Sequence, residues 1–423
     1  MKNQLIRVLI IVASLIAPRL TAIPAITEPD LSTTEFTEPE HATTDRLVLA
    51  YHYPWYGYKE PRQWDKQTAI LDHLLLGPYR SDDPNLIDFQ ICLASDAGID
   101  GFIVSWSGPE TTLGRIFQQM LDQIGTHSPC RCQLCVLLEH LANFPALSSE
   151  KLRLALAYVL KEFGKHPAYL RVDGKPVVFI YQAHTLPLDR WRPLLEGLTT
   201  DYGPAWYVAV PDGWDIDLEY LSVFDSIVPY ADKYYSDQVL TNWHKQVAGR
   251  LKTSDKPLIV AAIGGGSRIR KLGFDIDCSK GQYLRRRFAL AQQVAARWIT
   301  ITSWNEWYEA MQIEPSREYG FEQVRYVRQL AAAFKGKVLP LLDGACLSVK
   351  QHRSGAATTG LWVKNTGTFN IYCVTALCSE GRREIIAYVL HPGEDTQVQF
   401  EYTCEQVVAY LPDGMTVGVH PGL

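Results

Sequence analysis

Two glutamates, Glu306 and Glu309, are the residues of this sequence whose type and spacing most clearly suggest chemistry. They follow an apolar segment directly and stand three residues apart, so both carboxyls can reach one cleft. Two close carboxyls disfavour each other's ionisation, which keeps one of them protonated near neutral pH. Cleavage of a glycosidic bond needs such a pair, because one group protonates the leaving oxygen while the other assists departure from the anomeric carbon. The alternative is that both acids start a helix and simply favour the positive end of its dipole.

Eight short apolar segments, separated by helical stretches, would position these residues. Each is a nearly continuous run of Val, Ile, Leu or Phe, as expected of parallel strands buried on both faces. The predicted strands are residues 46–53, 100–106, 133–139, 176–182, 206–211, 224–230, 257–263 and 298–304. This alternation predicts an α/β fold, a (β/α)8 TIM barrel over residues 46–336. A doubly wound open sheet is the alternative, but no glycine-rich nucleotide-binding motif follows the first strand.

The carboxyl ends of these strands supply the candidate site, because a barrel of this kind carries its reactive groups there. Beside the two glutamates, these ends carry Tyr53, Trp55, Trp106, Glu139, His140, Tyr181, Tyr230, Asn305 and Trp307. Aromatic rings can stack on sugars, and Asn305 can orient a hydroxyl group. Tyr53 could instead be a packing residue at the barrel mouth, and Glu139 could instead belong to a structural ion pair. Because these ends show no metal triad, nucleophilic Ser or Cys turn or phosphate loop, we expect neither a metal nor a cofactor.

Residues 302–315, which contain both glutamates, resemble the signature of glycoside hydrolase family 99, the endo-α-mannosidases, and of related family-99-like barrel proteins. The similarity continues in residues 51–56, in 100–102 with Trp106, in 175–181, in 224–225 with Tyr230, and in 281–283. It covers essentially residues 46–336 and implies the same barrel.

The resemblance also implies a retaining mechanism that avoids the ordinary covalent intermediate. Glu306 would act as base on the substrate's 2-hydroxyl, which attacks the anomeric carbon and forms a 1,2-anhydro sugar. Glu309 would protonate the leaving group and then activate the water that opens the strained ring. Tyr53, Trp106, Glu139 and Tyr230 match positions that line the family's sugar subsite. The implied partner is an α-linked oligosaccharide or polysaccharide, with internal cleavage of an α-mannan as the family's example.

The sequence departs from the family pattern at the rim of the site. Tyr308, Ala310 and Met311 stand where the family usually has His, Gly and Thr, and residues 264–267 replace a Pro-Gly-Tyr loop. These changes leave mannose specificity and endo action open, whereas both glutamates are kept. Two other functions remain open, a polysaccharide-synthesis glycosyltransferase and a non-catalytic glycan-binding protein. The D-x-D pairs at 215–217 and 275–277 would suit the former but arise easily by chance.

After residue 337 the pattern changes to short β-type segments separated by turn residues. The segments are 345–350, 360–365, 369–376, 384–390, 396–401 and 406–411, which predict a small accessory β-sandwich over residues 337–423. Nine cysteines favour some disulfides if the chain is exported, as its first residues predict, and the odd number leaves at least one cysteine unpaired. The C-x-C-x-x-C run at 130–135 resembles a metal knot, but a fourth ligand is not evident, so a disulfide plus a buried strand cysteine is favoured.

The first residues predict export. Lys2 and Arg7 precede an apolar run, and a small-residue cleavage site follows, so residues 1–22 are interpreted as a signal peptide. The run of about 11 residues is too short to cross roughly 30 Å of hydrocarbon, so no stable membrane span is expected. An uncleaved anchor or a buried helix is the alternative.

Composition and charge narrow the class of protein and its location. Residues 23–45 are acidic, rich in Thr and Pro and free of Lys and Arg, and predict a flexible tether. With 47% hydrophobic residues and a net charge of −5, the chain is a packed globular protein and no dedicated nucleic-acid binder. We therefore expect a secreted, periplasmic or cell-surface protein.

Overall fold

The computed structural model of this chain describes residues 46–57, 72–124, 132–139, 149–211, 218–230, 236–264, 281–342, 344, 346–353, 359–401 and 403–419. The predicted signal peptide and tether lie outside these residues and stay predictions.

A mostly parallel sheet forms the first part of the described chain. Its strands are β1 (Leu47–His52), β2 (Gly101–Trp106), β3 (Gln133–Leu138), β4 (Arg171–Val172), β5 (Lys175–Tyr181), β6 (Trp206–Val210), β7 (Ser226–Ile227), β8 (Ile259–Ile263) and β9 (Trp298–Thr302). Eight of them run parallel in the order β7-β6-β5-β3-β2-β1-β9-β8, and β4 pairs antiparallel with β5. The Ser226 hydroxyl on β7 donates to the carbonyl of Pro257 just before β8 (2.7 Å), which ties the two end strands together. The predicted barrel is confirmed, although β7 is much shorter than the predicted segment.

Helices separate most of these strands and cover the sheet. They are α1 (Pro84–Asp96), α2 (Thr112–Ile124), α3 (Ser149–Tyr158), α4 (Leu188–Tyr202), α5 (Asp237–Leu251), α6 (Gln282–Gln293) and α7 (Glu322–Phe334). Asp83 caps α1 by accepting from the backbone N–H of Asn85, and Pro84 occupies the first turn, where its missing N–H costs nothing. Every residue of β2 is buried, as expected of a strand covered on both faces. No helix in the described part of the chain combines the length and apolar character of a membrane span.

The last part of the described chain forms two antiparallel sheets. Their strands are β10 (Leu347–Arg353), β11 (Thr359–Asn365), β12 (Ile371–Cys378), β13 (Arg383–Leu390), β14 (Asp395–Phe400), β15 (Cys404–Tyr410) and β16 (Thr416–Val419). The orders are β10-β11-β14 and β13-β12-β15-β16. Leu361, Val363, Val374 and Val407 belong to the buried cluster of this part. The predicted β domain is present, with β16 as an additional strand whose residues are all at least partly exposed.

The four-stranded sheet packs its other face on the barrel. Tyr372 and Cys373 of β12 belong to the same buried cluster as the barrel core. These consecutive residues share that cluster because a β-bulge, in which Cys373 has φ +51°, interrupts the alternation of β12. Phe321 stacks on Tyr410 with 5.0 Å between ring centroids, and Phe89 meets Tyr372 edge to face at 5.9 Å. The barrel core therefore continues into the β domain.

Polar side chains also join α1 to the β domain. The Tyr372 hydroxyl and Asn370 Nδ2 both donate to Asp96, a carboxyl whose pKa is raised by burial. His391 Nε2 lies 3.0 Å from Asp88 Oδ2, and His391 Nδ1 lies 3.1 Å from Asn370 Oδ1. Two oxygen acceptors face the imidazole, so only its doubly protonated form satisfies both. The hydrogen bond to Asp88, aided by the charges of Asp88, Glu394 and Asp96, raises the pKa of His391 against the opposing effect of burial.

We expect His391→Gln to lower the free energy of unfolding more at pH 6 than at pH 8.5. A histidine whose pKa is raised by folding stabilises the protein fully below its unfolded pKa of about 6.5, and this contribution is lost as the pH rises through the folded pKa. For a half-buried pair the difference between the two pH values should be about 1 kcal/mol or less. Denaturant unfolding of the parent, His391→Gln and the exposed-site control His184→Gln at both pH values measures it. Equal losses at the two pH values would contradict a charged His391.

Candidate active site

The two glutamates lie on a tight loop that follows β9. A short 3-10 helix, Trp307–Glu309, begins directly after Glu306, whose carboxylate accepts from the backbone N–H of Tyr308 (3.3 Å). The backbone N–H of Glu306 in turn donates to Ser303 Oγ (2.7 Å). Glu306 therefore caps this turn, but Glu309 is its last residue, where the helix dipole is unfavourable to an acid. The dipole alone does not account for both carboxyls.

Asn305 is fully buried and joins this loop to the end of β1. Its Oδ1 accepts from the backbone N–H of Tyr53 (2.8 Å), and its Nδ2 donates to the carbonyl of Tyr53 (3.0 Å). The carbonyl of Asn305 accepts from the hydroxyl of Tyr56 (2.9 Å). The structure thus corrects the predicted role of Asn305: its amide is used by the backbone of Tyr53, so it positions that residue and does not orient a substrate hydroxyl.

Trp106 is also interior. It is 0% exposed, and its ring packs against Tyr158 and Phe163 with centroids 6.4 and 6.0 Å away. Successive strand residues point to opposite faces, and Ser105 is the residue of this pair that hydrogen-bonds Glu139. The ring of Trp106 therefore faces the helical layer. In this structure it offers no surface to a sugar, which corrects its predicted place in the sugar subsite.

Trp307 likewise supports the loop from inside. It is 1% exposed, and its Nε1 donates to Glu314 Oε2 (2.9 Å). Glu314 is buried too, and it also accepts from the hydroxyl of Tyr79 (2.7 Å) and from Gln90 Nε2 (2.6 Å). The predicted stacking of Trp307 on a sugar is corrected by this burial. Glu314 is not among the predicted site residues, although it falls inside the glutamate-containing motif 302–315.

Four of the predicted aromatic residues do come together beside the loop. The Tyr53 hydroxyl donates to the Tyr230 hydroxyl (2.5 Å), and Trp55 stacks on Tyr53 with 4.4 Å between ring centroids. Tyr181 meets Tyr230 edge to face at 5.8 Å. Burial raises the pKa of both Tyr53 and Tyr230, and the nearby charge of Glu306 raises both further. These four rings therefore form an aromatic wall next to Glu306.

Three carboxyls share the space beside this wall. Burial raises the pKa of Glu306 well above its ordinary value, and the charges of Glu309 and Glu139 raise it further. Burial also raises the pKa of Glu139 to about 7, against the lowering effect of its hydrogen bond with Ser105. Glu309 is partly exposed, and its charge contributes to the raised pKa of Tyr230. Carboxyls that repel each other's ionisation in a buried site are suited to general acid–base catalysis near neutral pH.

Gly264 directly follows β8 and is the first of three consecutive glycines. It has a packing role that is not evident from the sequence. A Cβ atom at this position would lie 2.3 Å from Cγ2 of Ile313. The backbone of Ile313 is itself held, because its N–H donates to the carbonyl of Ser303 (3.0 Å). The missing side chain therefore lets the segment that follows the glutamates pack on the barrel.

Some predictions for the site fall outside the described residues, namely His140 and the two D-x-D pairs. Within the described ranges, Asp88, Cys92 and His391 have potential metal-ligand atoms within 4.8 Å of one another. Cys92 is disulfide-bonded and supplies no thiolate, and this cluster lies at the junction with the β domain. Of the 130–135 cysteine run, Cys132 and Cys135 are buried free thiols.

Comparison with a protein-family model gives a match to "Glycosyl hydrolase family 99" over residues 48–333. The chain is 23% identical over 274 residues to "Glycoprotein endo-alpha-1,2-mannosidase" of Xenopus laevis, which covers 59% of this chain and 60% of that protein. It is 23% identical over 320 residues to the protein of the same name from Rattus norvegicus, with 63% and 67% covered. The match thus spans less than two thirds of the length of the Xenopus relative.

Solved structures give the same barrel. The GH99 endo-alpha-mannosidase from Bacteroides thetaiotaomicron superposes with a TM-score of 0.59 at 21% identity, covering 69% of this chain and 97% of that one. A "Glycoside hydrolase-like protein" superposes with a TM-score of 0.55 at 14% identity, covering 70% and 96%. At these identities the likeness concerns the fold. The family match ends before the β domain begins.

Proposed function

This chain belongs to glycosyl hydrolase family 99, and we propose that it is a retaining glycoside hydrolase that cleaves α-linked, mannose-containing glycans with Glu306 and Glu309 as its catalytic pair. The observation that carries the proposal is the placement of Glu306. It is buried beside a wall of Tyr and Trp rings, within electrostatic reach of Glu309 and Glu139. The names of the relatives suggest mannose as the sugar.

The reaction proceeds in two steps. Glu306 takes the proton of the substrate's 2-hydroxyl, whose oxygen attacks the anomeric carbon while Glu309 gives its proton to the departing glycosidic oxygen. A 1,2-anhydro sugar results. Glu309 then takes a proton from water, which attacks the anomeric carbon and opens the ring, and Glu306 returns its proton to the 2-oxygen. Two inversions give net retention of the anomeric configuration.

The environments of the two glutamates suit these roles. A buried carboxyl with a raised pKa is a stronger base once it is ionised, and Glu306 must remove a proton from a weakly acidic hydroxyl. Glu309 is partly exposed, which gives it access to the leaving group and to water. The aromatic wall would contact one side of the sugar; it consists of Tyr53, Trp55, Tyr181 and Tyr230. Glu139, with a pKa of about 7, would bond a sugar hydroxyl in either protonation state.

The amino-terminal sequence indicates where the enzyme would meet its substrate. The apolar amino-terminal run and its cleavage site favour export, so the glycan would be met outside the cell or in the periplasm. His140 remains a proposed substrate contact, because it follows β3 closely in the sequence.

Release of reducing ends from a panel of α-mannans and α-glucans by the purified full chain tests the proposal. We expect activity on an α-mannan or an α-mannosyl oligosaccharide, and NMR of the first product should show the retained anomer. Absence of hydrolysis across the panel, or an inverted first product, would overturn it. Binding without turnover would support a non-catalytic glycan-binding protein.

We expect kcat/KM to fall as the pH drops from neutral towards 5. Glu306 acts as base only when it is ionised. Its ordinary pKa is about 4.3, and because its pKa is raised in the folded protein, the pH at which it becomes protonated lies closer to neutrality. The profile of kcat/KM from pH 4 to 9 reports this group in the free enzyme. Samples held at each pH and assayed at pH 7 control for unfolding. An acid limb centred near pH 4.3 would contradict a raised pKa.

A further inference from the structure

We propose that Glu314 is a positioning residue that holds the Trp307 indole and thereby fixes the turn carrying Glu306 and Glu309. This inference rests on the proposed function for its catalytic consequence. Its structural part, the hold on Trp307, can be tested without any activity.

Three hydrogen-bond donors meet at the carboxylate of Glu314. Its Oε2 accepts from the Trp307 indole (2.9 Å) and the Tyr79 hydroxyl (2.7 Å), and its Oε1 accepts from Gln90 Nε2 (2.6 Å). The three donors come from the catalytic loop, from the segment before α1 and from α1 itself. Glu314 is 5% exposed, so water offers these donors little substitute. A single carboxyl therefore joins three parts of the chain.

The same network also extends to the residue that precedes the aromatic wall. Gln90 Oε1 lies 2.9 Å from His52 Nε2, and burial lowers the pKa of His52 to about 4, which keeps the ring neutral. The ring then donates to Gln90 through its Nε2 proton. His52 precedes Tyr53, which bonds Tyr230 in the aromatic wall. Glu314 is thus linked to both the glutamate turn and the wall.

Glu314 acts on the reaction through other residues. Both of its oxygens are already engaged by the three donors, and its backbone N–H donates to the carbonyl of Trp304 (2.9 Å). Trp307 is the first residue of the turn that ends at Glu309, and its indole N–H is the group of that turn that donates to Glu314. Loss of this hydrogen bond would leave the turn less firmly positioned without removing a group that reacts with the substrate. We therefore expect kcat to fall while KM changes little.

A double-mutant cycle tests the route through Trp307. Glu314→Gln keeps the size of the side chain but places an NH2 group against at least one of the three donors. We expect it to lower kcat by about 10- to 100-fold, with KM within about twofold, an effect of the size caused by misplacing catalytic groups. In the Trp307→Phe background, which lacks the indole N–H, the same change should cost less than about threefold. Losses that multiply in the double variant would overturn the proposed route.

An activity-independent measurement separates this inference from the proposed function. In the 15N NMR spectrum of the full chain, the indole N–H signal absent from Trp307→Phe identifies Trp307. We expect that signal to move in Glu314→Gln and to stay in place in the matched control Glu318→Gln, whose carboxylate pairs with His73 at the surface. An unmoved signal overturns the positioning role. A parent that hydrolyses no glycan but shows the shift overturns the function alone.

Two cysteines of the β domain face each other across neighbouring strands. Cys378 on β12 and Cys404 on β15 are directly opposite each other and buried. The backbone N–H of Ser379 donates to Thr403 and that of Cys378 donates to Arg382, so Cys378 and Cys404 form a non-hydrogen-bonded pair. Such pairs have Cα atoms about 4.5 Å apart, inside the range of about 4.4–6.8 Å that a disulfide spans.

The geometry points to a cross-strand disulfide between Cys378 and Cys404. Its formation removes one proton and one electron from each thiol and joins the two sulfurs. The oxidant is a small-molecule disulfide of the glutathione class, which is reduced to two thiols by exchange. The bond would close β15 onto β12 at the end of the sheet.

Peptide mapping of the full chain after incubation with oxidised and reduced glutathione tests this bond. The protein is denatured and alkylated without reduction, and we expect a linked peptide pair containing Cys378 and Cys404. Cys373, also on β12 but with no cysteine opposite it, serves as control and should be alkylated. Alkylation of both Cys378 and Cys404, or linkage of either to another cysteine, would overturn the proposal.

Discussion

Replacing Glu306 or Glu309 with glutamine is expected to lower kcat/KM on a natural glycan by about 10²–10⁴-fold, the size of one general acid–base contribution. Glutamine keeps the shape of each side chain but can neither take up nor release the proton. The fold should survive, because burying the charge of Glu306 costs free energy and a neutral glutamine avoids that cost. Initial rates on the best substrate of the panel, with circular dichroism for folding, measure the loss. Glu110→Gln, at an exposed turn, is the control and should keep full activity.

The two variants should differ when the leaving group changes. An aryl glycoside with an acidic phenol departs without protonation, so the first step in Glu309→Gln should recover a large part of its rate. Glu306→Gln should gain nothing, because the 2-hydroxyl still lacks its base. Equal recovery in both variants would contradict the assigned roles, and full activity of either variant on the glycan would discard the catalytic pair.

The second large effect is expected at Gly264, on the fold. Gly264→Ala should lower the free energy of unfolding by about 1–3 kcal/mol, the usual cost of overpacking a core. The new methyl group would lie 2.3 Å from Cγ2 of Ile313, a branched and therefore stiff side chain, and 3.3 Å from Ile301 Cγ2. Because Ile313 follows the catalytic loop, kcat should fall as well. Denaturant unfolding and initial rates at a temperature where the variant is folded measure the two effects.

A second glycine provides the matched control. Gly249 lies on the exposed side of α5, and a Cβ atom there would meet nothing within 4 Å. Gly249→Ala should therefore be neutral or stabilising by up to about 1 kcal/mol, since alanine is the better helix former. If Gly264→Ala were equally harmless, the close packing of Ile313 on β8 would not be a constraint on this fold.

The barrel could be predicted from the sequence because its strands are buried on both faces. Segments such as 100–106 and 133–139 are nearly continuous apolar runs, a pattern typical of such strands. The glutamate pair could also be found, since it directly follows the last such run. β7 is shorter than the predicted segment 224–230, because only Ser226 and Ile227 pair residue by residue with β6. Beyond it, single backbone bonds continue, since the N–H groups of Val228 and Tyr230 donate to the carbonyls of Ala209 and Pro211.

The roles of individual aromatic and amide residues could not be predicted in the same way. The position of a residue at a strand end does not give the face that it occupies. Trp106 stands at such an end, but it is its neighbour Ser105 that faces Glu139. Asn305 and Trp307 are adjacent to the glutamates, yet their partners are about 250 residues away or in a network formed only by folding. Such pairings depend on tertiary structure.

The shared packing of barrel and β domain bears on how this gene can be cut and recombined. Trimming the chain after residue 336 would uncover Phe89 and Phe321, the rings that Tyr372 and Tyr410 now cover. Freshly bared aromatic surface of this kind invites aggregation. Shortened versions for expression, and chimaeras that exchange the carboxyl-terminal segment, must therefore keep or replace those two tyrosines together with their partners.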